Sequence, residues 1–210
     1  MIVVNFANGS YLKGQKRLSN SLNGHKQLML SDYVSIGSPP HSESPYEFKV
    51  WAIETAKNHD PVVLLMDASM YVRGDLGKIE KIILEDGYFC EEAGHYTGRW
   101  TNQHTRNYFQ VTEKEMHQGE GGMTLFSAGL LGLNFNFPKA QDFFDQWKQS
   151  AFAGCFRGSW ADHRHDMTCA SIIAQRLGFK YQRGGSHLSY IGPGYSEPEK
   201  GSVVYCQGLH

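Results

Sequence analysis

One aspartate, Asp67, directly follows the most apolar stretch of the chain, Val62–Met66, and is itself followed by Ala68 and Ser69. Five consecutive apolar residues are typical of a strand buried on both faces of a parallel sheet. Because an unpaired carboxylate is costly inside a core, Asp67 is expected at the carboxyl end of that strand. Ligands of open α/β sheets bind at such strand ends, where a carboxylate can hold a metal ion or a substrate hydroxyl. The alternative is that Asp67 only caps the following turn.

A second aspartate, Asp166, lies in the polar segment 159–168, just before an apolar helical pattern at 167–177. Aspartate is a favoured N-cap residue, and a helix N-terminus also favours an anionic ligand, so Asp166 can have either role or both. Two basic residues, Arg164 and Lys49, could balance phosphate charge, since arginine forms bidentate contacts and lysine acts as a point charge. Lys49 is equally compatible with a solvated position on a helix.

Alternating elements must position these residues. Strands are predicted at 2–7, 25–30 and Val62–Met66, with helices at 10–22 and 46–58 between them. This order predicts an α/β fold, a mixed and mainly parallel sheet flanked by helices, with right-handed crossovers. Further helices are expected at 76–84, 138–151 and 167–177, and further strands at 88–92, 125–135 and 202–206, with a polar region of loops and short helices at 94–122.

The composition limits the class of protein. The 210 residues suit one domain, 1–210, and 20 basic against 21 acidic residues exclude a strongly basic protein that binds nucleic acid mainly through phosphate attraction. No apolar run approaches the roughly 20 residues of a membrane span, so a soluble, cytoplasmic protein is expected. The four cysteines are widely separated, without a CxxC pair, and are interpreted as free thiols in a reducing compartment.

Three segments, taken in order, carry a resemblance to a known family. The strand followed by Asp67-Ala68-Ser69 resembles the short acidic motif of GT-A-fold glycosyltransferases, with Ser69 in place of the second acid. The small residues of 127–132, which include Gly129, resemble the family segment that passes beneath the sugar. The 159–168 segment resembles a His-Arg-x-Asp-Gln segment, with Met167 in place of glutamine. Nearly the whole chain is similar to the small glycosyltransferase domain of chlorella viruses and to related phage enzymes, which implies a GT-A-like fold with a Rossmann-type nucleotide-binding half.

The resemblance implies transfer of a sugar from a nucleotide-sugar donor, with a UDP-hexose favoured, to a hydroxyl acceptor. It implies Mn²⁺ or Mg²⁺, which would stabilise the charge of the departing diphosphate. The metal ligands implied are Asp67, Ser69 (directly or through water) and His210, and the catalytic residues implied are Asp67 and Asp166. The donor-binding residues implied are Asn5, Phe6, Ala7 and Tyr11 near the base and ribose, and Lys49, Ala68, Ser69, Gly129 and Arg164. Phe6 as a plain core residue and Gly129 as part of a bulged core strand are the alternatives.

The acceptor stays open at this point. A glycan or glycoprotein fits the viral resemblance, which would place the protein in a host cytoplasm, and Trp100 is a candidate for the acceptor face. Phage relatives suggest hydroxymethylated DNA bases as an alternative, for which Lys13, Lys16, Arg17 and Lys26 could supply a basic surface. The candidates for a general base are Glu91, Glu92 and Asp162. The competing hypothesis is a non-catalytic nucleotide- or carbohydrate-binding module on the same fold. A third hypothesis, a nucleotidyltransferase, has less support because no glycine-rich phosphate loop is found near the N-terminus.

Overall fold

A computed structural model gives the fold of residues 1–192 and 201–208. The strands are, in chain order, β1 (Ile2–Phe6), β2 (Gln27–Leu30), β3 (Val62–Met66), β4 (Met70–Val72), β5 (Tyr88–Phe89), β6 (Glu92–Tyr96), β7 (Thr124–Phe126), β8 (Leu130–Asn134), β9 (Leu188–Tyr190) and β10 (Val204–Cys206). The α-helices are α1 (Leu12–Ser21), α2 (Phe48–Lys57), α3 (Gly77–Asp86), α4 (Gln103–Phe109), α5 (Glu113–Met116), α6 (Pro138–Phe152) and α7 (His165–Arg176). Short 3-10 helices span Gly9–Tyr11 and Thr97–Trp100. Within the described ranges, none of the helices combines the length and the apolar character needed to cross a bilayer.

The central sheet has the strand order β2-β1-β3-β8-β5. Strands β2, β1 and β3 run parallel to one another, and β8 is antiparallel to both of its neighbours. All residues of β1, β3 and β8 are buried, as expected for strands that helices cover on both faces. The predicted α/β fold with a mixed sheet is therefore confirmed.

The two faces of the sheet build two apolar cores because side chains alternate along each strand. Val63 and Leu65 of β3 point to one face, where they belong to a core that includes residues of α2, α6 and α7. Val62, Leu64 and Met66 point to the other face and belong to a core that includes residues of α1 and α3. Burial on both faces fixes the register of β3, and therefore the position at which Asp67 leaves the sheet.

A second sheet brings the end of the chain back to the end of β3. Its strand order is β4-β10-β9, with β10 antiparallel to β4 and Cys206 opposite Met70. The backbone N–H of Gln207 donates a hydrogen bond to the Ser69 carbonyl, at 3.0 Å. The turn that carries Asp67 is thus covered by the C-terminal segment.

The structure corrects one predicted strand in a way that matters for the site. The apolar stretch 125–135 is not one strand: β7 pairs with β6 in a two-stranded sheet, and β8 belongs to the central sheet. Between them the chain turns at Ser127, whose carbonyl accepts from the N–H of Leu130. The small residues 127–129 therefore form a connection between two sheets. The predicted strand at 88–92 likewise ends early, at Phe89, and β6 begins at Glu92.

Candidate functional site

A cavity of about 600 Å³ opens at the carboxyl ends of β1 and β3. Adjacent parallel strands end at the same edge of a sheet, so the loops after β1 and β3 meet there. The cavity is lined by Phe6, Ala7, Asn8, Tyr11, Tyr33, His41, Tyr46, Phe48, Asp67, Ala68, Ser69, Trp160 and Gly208. Six of these residues belong to the set that the sequence singled out, namely Phe6, Ala7, Tyr11, Asp67, Ala68 and Ser69.

One wall of the cavity is aromatic. The ring of Phe6 lies 4.7 Å from that of Tyr33 and 4.9 Å from that of Phe48, centroid to centroid. His41 contacts Tyr46 edge-on at 4.8 Å. Sequence reasoning missed Tyr33 and His41, although a signal was available. Both lie in the loop after β2, a third parallel strand that ends at the same edge, so the strand-end rule also selects their loop.

Lys49 lies behind the cavity, between two carboxylates. Its Nζ is 3.0 Å from Oδ2 of Asp166 and 3.1 Å from Oδ1 of Asp67, and it donates to the Ala128 carbonyl at 3.3 Å. Lys49 and Asp166 are buried, whereas the side chain of Asp67 is 34% exposed. Lys49 is not among the described residues that line the cavity. Its ammonium group therefore contacts the two acids, and Asp67 is the member of the cluster that faces the cavity.

Burial and charge act together on the ionisation of this cluster. Burial raises the pKa of Asp166, the attraction of Lys49 opposes this rise, and repulsion from Asp67 adds to it. Burial alone lowers the pKa of Lys49, but the attraction of Asp166 and Asp67 outweighs it and raises that pKa. Lys49 therefore stays charged at neutral pH, and when both acids are ionised the three groups carry one net negative charge.

Gly129 gives the Asp67 carboxylate its space. A Cβ at position 129 would lie 2.6 Å from Oδ2 of Asp67, closer than a Cβ atom approaches an atom to which it is not bonded. The backbone also joins the two residues, since the N–H of Asp67 donates to the Gly129 carbonyl at 2.8 Å. The small residue at position 129 thus serves the placement of Asp67 directly.

Ser69 is held at the cavity by its neighbours. Arg17 of α1 donates to the Ser69 carbonyl at 2.9 Å and to the Gly208 carbonyl at 2.6 Å. The Ser69 hydroxyl accepts from the Cys206 thiol at 3.4 Å. Arg17 is thus directed into the fold, although it was one of the residues proposed for a basic surface. His210, the third expected metal ligand, lies outside the described residues.

Asn5 supports the site from inside the sheet. Its amide donates to the Met66 carbonyl at 2.6 Å, and its side-chain oxygen accepts from Gln15 at 2.9 Å. These bonds connect the ends of β1 and β3 to α1. Asn5 is buried and is not among the described residues that line the cavity, so it sets the position of the strand ends.

Arg164 lies between two tryptophans. Its guanidinium carbon is 3.3 Å from the ring centroid of Trp100 and 4.5 Å from that of Trp160. Arg164 is also the N-cap residue of α7, which places Asp166 in the first turn of the helix rather than at the cap. Trp160 lines the cavity, and Arg164 itself is not among the described residues that do.

The three candidates for a general base differ in their surroundings. Glu91 is buried, and its carboxylate accepts from the backbone N–H groups of Gly185, His187 and Leu188. These bonds, at 2.8 to 3.1 Å, hold the segment before β9 against the end of β5. Glu91 thus has a structural role, whereas Glu92 and Asp162 are exposed.

The residues at the cavity supply part of the coordination shell of a hard divalent cation. The described residues contain no cluster of three or more His, Cys, Asp or Glu side chains suited to a metal. However, Mg²⁺ is typically held by one or two carboxylates together with water and substrate phosphates. Asp67 supplies one partly exposed carboxylate, Ser69 of the same cavity lining carries a hydroxyl, and the cluster around Lys49 has one net negative charge when both of its acids are ionised. This donor set fits a cation that shares its coordination with a phosphate ligand.

This chain is similar to known proteins in its three-dimensional structure and not in its sequence. Neither a protein-family model nor a curated protein sequence matches the chain. Among solved structures, the bifunctional glycosyltransferase WbbM aligns over 98% of this chain and 45% of its own, at a TM-score of 0.59 and 10% identity. This chain therefore spans less than half of that WbbM chain.

Two further structures match over most of both chains. Mouse xyloside xylosyltransferase 1 aligns over 99% of this chain and 98% of its own, with a TM-score of 0.58 and 12% identity. A glycosyltransferase involved in glycosylation of the major capsid of PBCV-1 aligns over 98% of this chain and 91% of its own, with a TM-score of 0.55 and 13% identity. The chain therefore has the GT-A-like fold of these glycosyltransferases, with the cavity at the carboxyl ends of its parallel strands.

Proposed function

We propose that this protein is a glycosyltransferase that moves a sugar from a nucleotide-sugar donor, with a UDP-hexose favoured, to a hydroxyl of a glycan or glycoprotein. The observation that carries the proposal is the position of Asp67. Its partly exposed carboxylate lies in a cavity of about 600 Å³ that also has an aromatic wall. A cavity of this volume is within the range of small-molecule and cofactor sites.

The chemistry of the cavity lining supports a position for each part of the donor. A planar base stacks against the aromatic wall formed by Phe6, Tyr33 and Phe48, since base–aromatic stacking contributes about 1–3 kcal/mol. The diphosphate lies at Asp67 and Ser69, and these two residues together with His210 would hold Mn²⁺ or Mg²⁺. When bound, the cation would act as a Lewis acid for the charge that develops on the diphosphate.

In the net reaction the bond from sugar C1 to the diphosphate oxygen breaks, and its electron pair leaves with the diphosphate. The acceptor oxygen bonds to C1, and its proton passes to a carboxylate base, for which Glu92 and Asp162 are the exposed candidates. Asp166 is buried and contacts Lys49, so we place it in a positioning role, in which it holds the ammonium group that in turn orients Asp67.

The proposal is tested by adding UDP-, GDP- and TDP-sugars with Mn²⁺ or Mg²⁺ and measuring thermal stabilisation and slow donor hydrolysis. We expect stabilisation by one nucleotide class and hydrolysis that Asp67→Asn abolishes while the melting temperature without ligand stays close to that of the wild type. Asp142→Asn, an exposed aspartate of α6, is the matched control. Binding without hydrolysis or transfer would instead identify a non-catalytic module, and no nucleotide binding would contradict both hypotheses.

A further inference from the structure

Four side chains form a stacked surface beside the cavity, which we call the Arg–Trp platform: Arg99, Trp100, Arg164 and Trp160. The guanidinium carbon of Arg99 lies 4.8 Å from the Trp100 ring centroid, on a ring that Arg164 also contacts. Trp160 is 51% exposed, which is unusual for the largest apolar side chain. Exposed tryptophans and arginines are the residue types that most often dominate binding surfaces.

Backbone contacts hold the platform in place. The Trp100 carbonyl accepts from the N–H of Arg164 at 3.2 Å and from the Thr168 hydroxyl at 2.7 Å. The Arg164 guanidinium donates to the Trp160 carbonyl as well as stacking on its ring. Because both rings and the guanidinium between them are fixed, a ligand that binds there loses little side-chain entropy of the protein.

The platform carries positive charge that is not offset by an ion pair within the part of the chain that the structure describes. Among the described residues, no carboxylate forms an ion pair with Arg99 or Arg164, although other arginines of the chain do pair, such as Arg176 with Glu115. Burial and, next, the neighbouring Arg99 guanidinium lower the pKa of Arg164, which is the effect expected of two like charges held close together. An anion that pairs with both guanidinium groups would relieve this repulsion.

The platform continues into the cavity at the end away from the proposed base site. Aromatic contacts run from Phe6 to Phe48 at 4.9 Å, from Phe48 to Tyr46 at 6.1 Å and from Tyr46 to Trp160 at 6.0 Å. Tyr46 also has the Lys49 ammonium over its ring, at 5.1 Å. Trp160 is therefore separated from Phe6 by two rings, and a ligand on the platform reaches the same cavity as the donor.

We propose that the Arg–Trp platform binds the acceptor, and that this acceptor is an acidic saccharide. Its apolar C–H faces pack on the exposed ring of Trp160, and its carboxylate or phosphate group pairs with Arg99 and Arg164, whose guanidinium groups match either anion in a bidentate manner. The inference rests on the proposed glycosyl transfer, since it names the substrate class of that same site. It gives Arg164 an acceptor role in place of the diphosphate role that the sequence suggests.

The first test measures affinities by titration calorimetry with four defined probes, arranged as two pairs of an acidic saccharide and its neutral counterpart. These are a hyaluronan tetrasaccharide, which carries carboxylates, the same tetrasaccharide with its carboxyl groups reduced to alcohols, and mannose 6-phosphate compared with mannose. We expect at least one acidic probe to bind about 10-fold more tightly than its neutral counterpart, and the difference to shrink as salt is added. The arm that gains affinity shows whether the anion is a carboxylate or a phosphate. If each acidic probe binds with the same affinity as its own neutral counterpart, the proposal is overturned.

The second test assigns the binding to the platform. Arg99→Gln and Trp160→Ala should each lower the affinity for the acidic probe about 10-fold. Arg164→Lys keeps the charge but loses the planar stacking group, so it should lower this affinity less. Arg157→Gln, at an exposed arginine of the neighbouring segment, is the matched control and should leave the affinity unchanged. Melting temperatures show that each variant is folded.

Donor binding separates this inference from the proposed function. Arg99→Gln should leave the affinity for UDP unchanged, and Arg164→Lys should lower the affinity for the acidic probe more than that for UDP. A larger effect of Arg164→Lys on UDP would assign Arg164 to the diphosphate and overturn the platform as acceptor site. If the wild type binds no nucleotide, the glycosyltransferase proposal fails, whereas binding of UDP without preference for an acidic probe contradicts the platform alone.

Discussion

The carboxylate of Asp67 occupies space that any side chain at Gly129 would need, since a Cβ there would lie 2.6 Å from Oδ2 of Asp67. Asp67 directly follows β3 and Gly129 directly precedes β8, and the two residues are joined by the 2.8 Å hydrogen bond from the Asp67 N–H to the Gly129 carbonyl. Asp67 cannot move away freely, because the Lys49 ammonium group contacts both of its carboxylate oxygens, Oδ1 at 3.1 Å and Oδ2 at 3.3 Å. The position of the carboxylate in the cavity therefore depends both on the absence of a side chain at position 129 and on the Lys49 ammonium group.

Gly129→Ala is expected to displace the Asp67 carboxylate and to lower kcat/KM for donor hydrolysis by about 10- to 100-fold, since small misplacements of a reacting group have effects of that order. Gly132→Ala is the matched control in the same segment, because its Cβ would meet the side chain of Ile83, away from Asp67. That control should lose about 1–3 kcal/mol of stability by overpacking. Its turnover per folded molecule should not change. Equal losses of activity in the two variants would contradict the role of Gly129.

Lys49→Met should leave two acids without their shared counter-charge and lower the free energy of unfolding at pH 7 by about 3–5 kcal/mol. The loss should shrink as the pH is lowered. Without Lys49 the native pKa of Asp166 rises further above the unfolded value of about 3.9, so the native state binds the extra proton and stability falls as the pH rises. Urea unfolding between about pH 4.5 and pH 8 measures this slope.

The double variant Lys49→Met/Asp166→Asn provides the control for that experiment. Replacing the buried acid removes the group whose proton uptake changes, so the pH slope should largely disappear and part of the stability should return. A destabilisation of Lys49→Met that does not depend on pH would show that its cause is packing rather than charge.

Tyr33→Leu should lower the affinity for UDP about 5- to 150-fold, because it removes one ring of the aromatic wall, and stacking of a base on a ring contributes about 1–3 kcal/mol. Calorimetric titration with UDP measures the change. Tyr108→Leu, at an exposed tyrosine of α4 outside the cavity lining, is the matched control. If the affinity for UDP were the same in both variants, the base would have to bind elsewhere.

Glu91→Gln should lower the stability by about 1.5–3 kcal/mol, since it weakens hydrogen bonds from backbone donors to a charged acceptor. It should leave the shape of the pH–rate profile unchanged, because Glu91 holds the segment before β9 and is not the base. Glu92→Gln, at the exposed neighbour, should not change the melting temperature. Loss of the acid limb of the profile in Glu91→Gln, with unchanged stability, would restore Glu91 as the general base.

Local patterns were sufficient for the strands and helices that lie in the cores. The apolar run Val62–Met66 predicts a doubly buried strand, and the sequence before and after it gives the alternation of strands and helices that defines an α/β fold. The same reasoning failed at 125–135, where one apolar stretch is divided between two sheets. The hydrophobicity of this stretch indicates that both β7 and β8 are buried, but it does not indicate which strands and helices pack against each of them.

Local sequence patterns are enough to predict that Asp67 leaves the sheet at the end of β3 and that residues after β1 lie nearby. Both follow from strand ends, which local patterning sets. Which charges meet depends on tertiary contacts: Lys49, Asp67 and Asp166 are distant in sequence, yet the Lys49 ammonium group lies within 3.1 Å of both carboxylates. The same holds for Arg164, which stacks on Trp100 from a distant segment. Such contacts depend on how helices and loops pack around the sheet, and they are fixed by the burial and pairing of the whole chain rather than by any local stretch.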